Sequence, residues 1–311
     1  MSGEQSARAV VMIRPSRFYP NPETAADNAF QGEETNEELY SLAARHEFDE
    51  AVRELRAAGI TVHVFEDDCT PAKPDAVFPN NWFSTHHDGR VALYPMCMPS
   101  RRRERRADLI DGLREFYQVN AIVDYTDFEK QGLYLEGTGS LVLDHEHHLA
   151  YVALSGRSHE MPLRKFCADF DYEPVTFAAA TPDGRAIYHT NVMLCVGSEF
   201  ALVGLDTITD AKERELICRK LDSSGKRVIE LGHDQIANFA GNALELQTTE
   251  GKLLVLSRRA AAALTNEQRS AVESSAHLLT LSLPTIELAG GSARCMLATV
   301  HLPSLRHSPN E

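Results

Sequence analysis

Residues 135–154 read LEGTGSLVLDHEHHLAYVAL. A turn of small residues leads into a short apolar run, the polar stretch HEHH breaks it, and a second apolar run follows. That pattern predicts two neighbouring strands joined by a tight turn. Working outward, a 3.6-residue apolar period over about 160–169 predicts a helix, and EPVTFAA (173–179) predicts a third strand. The unit is strand, strand, helix, strand.

The same unit recurs on both sides. VFPNNWFSTH (77–86), VALYP (91–95), a helix over about 100–116 and AIVDY (121–125) repeat the order. So do IYHTNVMLCVG (187–197), FALVGL (200–205), a helix over about 210–221 and RVIEL (227–231). NFAGNALELQT (238–248), KLLVLS (252–257), a helix near 266–275 and HLLTLSLPTIE (277–287) make a fourth copy. The strand ARCMLATVHL (293–302) opens a fifth, which VVMIRP (10–15), a helix over about 35–58 and TVHVFE (61–66) complete. Asn81, Glu136, His189, Asn242 and Cys295 lead the five units, at intervals of 55, 53, 53 and 53 residues. A period near 50 implies an array or a closed ring. A ring closed by the last strand removes exposed sheet edges. The expectation is an α/β fold, a five-bladed propeller of ββαβ modules about a pseudo-five-fold axis, forming one domain over 1–311. Asn81, Glu136, His189 and Cys295 would then converge on the axis. The polar stretch 16–38 is expected to be a lid and 304–311 a flexible tail.

Composition narrows the partners. The chain has 311 residues, 31 Lys and Arg against 45 Asp and Glu, and a net charge of −14. Such a deficit excludes a phosphate-tracking surface, so no nucleic acid is expected and a small molecule is the favoured partner. No apolar run approaches membrane-spanning length, and the N-terminus lacks a signal-peptide core. Six cysteines without a CxxC pair indicate reduced thiols and a cytoplasmic protein. The clustered His86 and His87, and His145, His147 and His148, read as solvated turn histidines, so no metal is expected. Homo-oligomerisation is compatible with all of this.

Most of the cysteines read as small packing residues. Cys295 differs: Gly290, Gly291 and Ser292 let backbone approach closely, and Arg294 adds charge that favours a thiolate. A thiol nucleophile needs a proton shuttle. His189 stands at the same repeat position, and so does Glu136, a carboxylate set between apolar residues and glycines, where a charge is costly without a partner.

With LEGTGS (135–140), YHTN (188–191) and GGSARC (290–295) in this five-fold register, the chain resembles the guanidine-modifying pentein superfamily. That superfamily includes arginine deiminases, dimethylarginine hydrolases and amidinotransferases. The resemblance covers nearly the whole chain and implies a five-bladed pentein propeller acting through a covalent cysteine, with no metal and no cofactor. It implies Cys295 as nucleophile, His189 as general acid/base and Glu136 as its acidic partner. PDAVFPNNW (74–82) resembles the segment that supplies Asp75 to the amino-acid end of the substrate and places Asn81, with Asn80 beside it, at the guanidinium position. MPSRRRE (98–104) and LSGR (154–157) resemble the segments carrying carboxylate-binding arginines, here Arg101 and Arg157. Arg101 also falls at a predicted helix start, where an incoming carboxylate would offset its repulsion from the dipole.

Two departures concern the substrate. Many members hold the cationic guanidinium with carboxylates where this chain has Asn81 and Asn191. A carboxylate only accepts hydrogen bonds, whereas an amide both donates and accepts, as a neutral ureido group requires. The expected activity is therefore hydrolysis of the ureido C–N bond of L-citrulline to ornithine, ammonia and carbon dioxide. NPETAADNAFQ (21–31) resembles the citrulline hydrolase (citrulline ureidase) branch and places Phe30 in its lid. An arginine deiminase, dimethylarginine hydrolase or amidinotransferase is the rival reading, and a non-catalytic pentein binding protein is the rival from another class.

Overall fold

The computed structural model describes residues 4–32, 36–68 and 70–305. Its strands form five sheets of three strands each, in the order of the repeat. Within each sheet the first strand runs antiparallel, and the third parallel, to a central second strand. Phe83–Thr85, Arg90–Leu93 and Ala121–Asp124 form one such sheet. Val142–Asp144, Leu149–Ala153 and Glu173–Phe177 form the next. Leu194–Val196, Phe200–Val203 and Arg227–Glu230 follow, then Leu244–Gln247, Lys252–Ser257 and His277–Leu281. The fifth joins distant parts of the chain: Ala298–Val300 pairs with Ala9–Arg14, which pairs with Thr61–Glu66. The architecture is α/β, as expected, and first strands of some neighbouring sheets also pack together.

A parallel pair needs a crossover, and a helix supplies it in each unit. Side-chain caps fix where these helices start. Asn36 accepts from Leu39 N ahead of Glu37–Ala57, and Asp210 accepts from Lys212 N and Glu213 N ahead of Ala211–Ser223. Thr265 and Gln268 form a capping box ahead of Asn266–Glu273. Glu37–Ala57 buries Ala44, Phe48, Ala51, Val52 and Leu55 on one face. A fully buried Phe48 stabilises by about 2 kcal/mol.

Three expectations need correction. The helix predicted over 100–116 is broken into Pro99–Arg102 and Ala107–Leu113. The chain turns in between so that buried Glu104 meets Arg101 (Nε–Oε1 2.9 Å, Nη2–Oε2 2.9 Å), while Arg105 pairs with Glu129. The run RRRERR is therefore largely paired with protein groups, and four residues of helix leave Arg101 no dipole of consequence. Nor are the turn histidines all solvated. His86 is buried against Phe170, with Nε2 2.8 Å from Ser84 Oγ. His145 Nδ1 lies 2.7 Å from Tyr172 Oη, and its ring sits 4.2 Å from that of buried His301.

Burial drives His86 and His301 well below the ordinary 6.5 and His145 down to about 3. A histidine depressed by folding takes up its proton more readily in the unfolded chain. Its stabilising share is complete above about pH 6.5 and is lost as pH falls from there toward its folded value. Urea unfolding at pH 7.5, 6.5 and 5.5 should show stability declining below 6.5. A midpoint constant down to pH 5 would contradict this.

The site-bearing residues are not at the starts of long strands, as the alternation suggested. First strands in four of the sheets are three residues long, and each of these four follows one turn of helix: Pro79–Asn81, Gly137–Ser140, Thr190–Val192 and Ala293–Met296. The glycines and Pro79 favour turns over extended chain. These turns pack on one another: Gly137–Ser140 touches Pro79–Asn81 and Thr190–Val192, and Pro79–Asn81 touches Ala293–Met296. No described helix is long and apolar enough to cross a membrane.

Candidate active site

Where the turns meet, Asp75, Asn81, Arg101, Arg157, His189 and Cys295 line one pocket. Glu136 and Asn191 stand behind it, Asn80 borders Asn81, and Phe30 lies outside it. All of these are buried except Phe30, which packs between Tyr188 and Phe239 (ring centroids 6.3 and 5.8 Å).

A line of ionic contacts runs through one wall. His189 Nε2 meets Glu136 Oε2 at 2.7 Å, and Arg157 Nη1 stands 3.7 Å from the same oxygen. The other oxygen accepts from the Cys97 amide at 2.9 Å. Burial works to raise the Glu136 carboxyl, but Arg157 and the His189 hydrogen bond overcome it and hold it down at about 2. Burial lowers His189 despite Glu136, so the imidazole is neutral near pH 7. A neutral imidazole fixed at Nε2 by a carboxylate has Nδ1 left for proton transfer. Nδ1 lies beside Gly139, where a Cβ would come within 2.8 Å of it.

Opposite stands Cys295, 4% exposed. Asn191 Nδ2 lies 3.5 Å from its Sγ and Asn242 Nδ2 3.3 Å. Asn191 Oδ1 is buried without a hydrogen-bond partner. The chain reaches Cys295 through Gly290, whose φ of 80° suits glycine, and Gly291, where a Cβ would stand 2.8 Å from the Phe78 ring. Arg294 points elsewhere: its guanidinium lines a separate cavity with Gln5, Glu245, His145 and His301 and donates to Leu297 O at 2.7 Å.

Arg101 is closely held. Besides its two bonds to Glu104, it lies 3.7 Å from Asp75 Oδ2 and donates to Phe78 O at 3.2 Å. With the Asn81 amide in the orientation its neighbours require, Arg101 Nη1 donates to Oδ1 at 2.7 Å and Asn81 Nδ2 donates to Asn80 Oδ1 at 3.1 Å. Asp75 in turn accepts from Asn21 Nδ2 at 2.7 Å.

The segment around residues 21–32 covers the mouth. Thr24 and Asn28 line the pocket, Asn28 Nδ2 donates to Ala289 O at 3.0 Å, and Gly32 N donates to Leu288 O at 2.8 Å. Asp27 grips Arg157 through both oxygens, Nε–Oδ2 being 2.8 Å. The enclosed space is about 20 Å³, enough for water but not for an amino acid. Elsewhere, Asp144, Glu146 and His147 bring ligand atoms within 4.8 Å of one another, yet the Lys226 ammonium already sits 2.9 Å from Glu146 and 3.9 Å from Asp144.

Sequence reading missed Asn242, Glu104 and Asp27 as members of the site. Asn242 had a signal, since it marks the fourth unit at the same register. Glu104 had a weaker one, an opposite charge three residues after Arg101. Asp27 had none beyond its segment.

Solved structures of other proteins share the fold. The N-terminal domain of ArgZ bound to substrate, an arginine dihydrolase from the ornithine-ammonia cycle in cyanobacteria, superposes with a TM-score of 0.73 at 17% identity, over 95% of this chain and 98% of that one. Unliganded AgrE gives 0.74 at 18% identity, over 95% of this chain but 39% of that longer one. A dimethylarginine dimethylaminohydrolase variant carrying an adduct of S-methyl-L-thiocitrulline gives 0.63 at 12% identity, over 94% and 99%. No curated protein matches the sequence. Residues 14–302 match the family described as N,N dimethylarginine dimethylhydrolase, eukaryotic. With that match across most of its length, the chain belongs to this family, within the guanidine-modifying pentein superfamily of arginine- and guanidino-modifying hydrolases.

Proposed function

We propose that this chain is a citrulline hydrolase, converting L-citrulline and water to L-ornithine, ammonia and carbon dioxide. The observation that carries the reading is the Asn191 amide, with Nδ2 3.5 Å from Cys295 Sγ and a buried Oδ1 that no protein donor reaches. A guanidinium there would set its N–H groups against the Nδ2 donor with no carboxylate at 191 to offset its charge, whereas a ureido group offers Oδ1 an N–H and Nδ2 a carbonyl oxygen.

In this mechanism the described part of the segment 16–38 acts as a lid and opens to admit substrate, and Asp27 leaves Arg157. Arg157, Arg101 and Asp75 then orient the amino-acid end. Asn80, next to Asn81, completes that wall, and Phe30 seats the closed lid. Cys295 passes its S–H proton to His189 Nδ1 as the sulfur adds to the ureido carbon, and the Asn81 and Asn191 amides with nearby backbone N–H groups hold the oxygen as charge develops. His189, kept in place by Glu136, protonates the ornithine nitrogen as its C–N bond breaks, leaving S-carbamoyl-Cys295. It then takes a proton from water, which attacks the carbamoyl carbon and frees the thiolate. The carbamate released decomposes to carbon dioxide and ammonia.

The same reading takes the whole chain as one catalytic domain and its five sheets as the blades of a closed propeller. The packed turns and the fifth sheet, drawn from both ends of the sequence, support it. The five described cysteines are all unpaired, which suits a reducing cytoplasm.

A guanidino substrate is the alternative: dimethylarginine, which the matched family's description names, or arginine, which the ArgZ and AgrE structures name. Ornithine, citrulline and ammonia release should be measured from citrulline and from arginine side by side. Ornithine from citrulline, with little product from arginine, is expected; the reverse would overturn the assignment. Asn191→Asp should lower the preference for citrulline over arginine by roughly tenfold or more. An unchanged preference would contradict the amide argument.

A further inference from the structure

The fourth unit carries no residue to which the proposed chemistry gives a role, yet it contributes Asn242, which is fully buried. Every hydrogen-bonding position of this amide is engaged. Nδ2 reaches Asn191 O at 3.0 Å and Cys295 Sγ at 3.3 Å. Oδ1 accepts from the Arg294 amide at 3.1 Å and lies 3.7 Å from Sγ. A rotated amide would set its NH₂ against the Arg294 N–H and its oxygen against the Asn191 carbonyl, so the observed orientation is locked. The backbone is fixed too, because a Cβ at Gly241 would meet Val192 O at 2.6 Å.

From this geometry we infer that Asn242 is a catalytic residue, whose amide holds the Cys295 sulfur and stabilises it as the thiolate. The inference rests on Cys295 being the nucleophile. In the thiol form, Oδ1 is the acceptor within reach of S–H; in the thiolate, Nδ2 donates to the charged sulfur, and a donor to an anion is the stronger contact. One side chain thus serves both protonation states without moving. It also ties the turns carrying Asn191 and Cys295 together, which fixes the sulfur relative to the Asn191 amide. Other charged or titratable groups around the sulfur are His189, Asp75, Arg101 and Arg157 across the pocket, Tyr188 beside it, and Arg294 next in the chain.

Alkylation tests this without any substrate. The parent protein and Asn242→Asp are treated with iodoacetamide from pH 5 to 10, labelling of the Cys295 peptide is followed by mass spectrometry, and Cys295→Ala supplies the background. A carboxylate at 242 keeps the shape but replaces the donor with a negative charge. The half-maximal pH for labelling should rise by about one unit, equivalent to about a tenfold loss of thiolate at neutral pH. Asn242→Ser, smaller and able to donate, guards against a misfolded Asp variant and should shift in the same direction by less. A profile superimposable on the parent's in a folded variant, by either substitution, overturns the inference. Failure of the functional reading would show up differently, as turnover surviving in Cys295→Ala, and would leave the alkylation result intact.

Discussion

Cys295→Ala should lose turnover of citrulline by about 10⁴-fold or more, to the limit of an ornithine assay, because no other group can form the covalent intermediate. Its fold should persist. The thiol is buried but small, so its removal costs only about 1 kcal/mol of packing, and it is the acceptor, not the anchor, of the Asn191 and Asn242 contacts. Thermal unfolding within a few degrees of the parent's, beside absent activity, is the expected pair of results. Substantial turnover by the folded variant would remove Cys295 from the chemistry altogether.

Glu136→Gln should be nearly as damaging to rate and far worse for stability. The carboxylate is fully buried and faces both His189 and Arg157. An amide of the same shape leaves the Arg157 guanidinium with only Asp27, from the segment that must open. Breaking a buried ion pair from one side costs roughly 3–5 kcal/mol. The imidazole also loses the acceptor that sets its tautomer, a loss that costs roughly 10⁴-fold in a comparable His–Asp arrangement. Because the Glu136 carboxyl is held at about 2, below its ordinary 4.5, the parent's stabilisation from this group is complete above pH 4.5 and disappears as pH falls toward 2. Urea unfolding at pH 7 should show the variant several kcal/mol weaker, and the difference should narrow in acid. Equal stabilities at pH 7 would mean that Arg157 does not depend on Glu136.

The repeat made a good part of the molecule legible. Alternating apolar residues located the sheets, and the common register of Glu136, His189 and Cys295 pointed to one meeting place. Periodicity reports the face a residue occupies, however, not what stands opposite it. Glu104 turning inward to Arg101 broke a helix that the pattern of 100–116 favoured. Asp27 reaches Arg157 across 130 residues, a contact no local pattern records. His86 looks solvated beside His87 and is instead packed on Phe170, because the sequence cannot show where an aromatic wall will fall. Asn242 was legible as a marker of the repeat, but its hold on Cys295 emerged only from the packing of two neighbouring turns.

The sheet that follows Cys295 is completed by Ala9–Arg14, which pairs with Ala298–Val300 from the far side of the other four units. During synthesis the first strand must wait, paired only with Thr61–Glu66, while the other four units are translated and fold. The reactive sulfur and the strand that locks its turn are therefore made together, after the other four units. A nascent chain released before residue 293 would contain His189, Glu136 and every proposed substrate-binding residue yet no reagent, so synthesis itself delays the chemistry until the fold can enclose it.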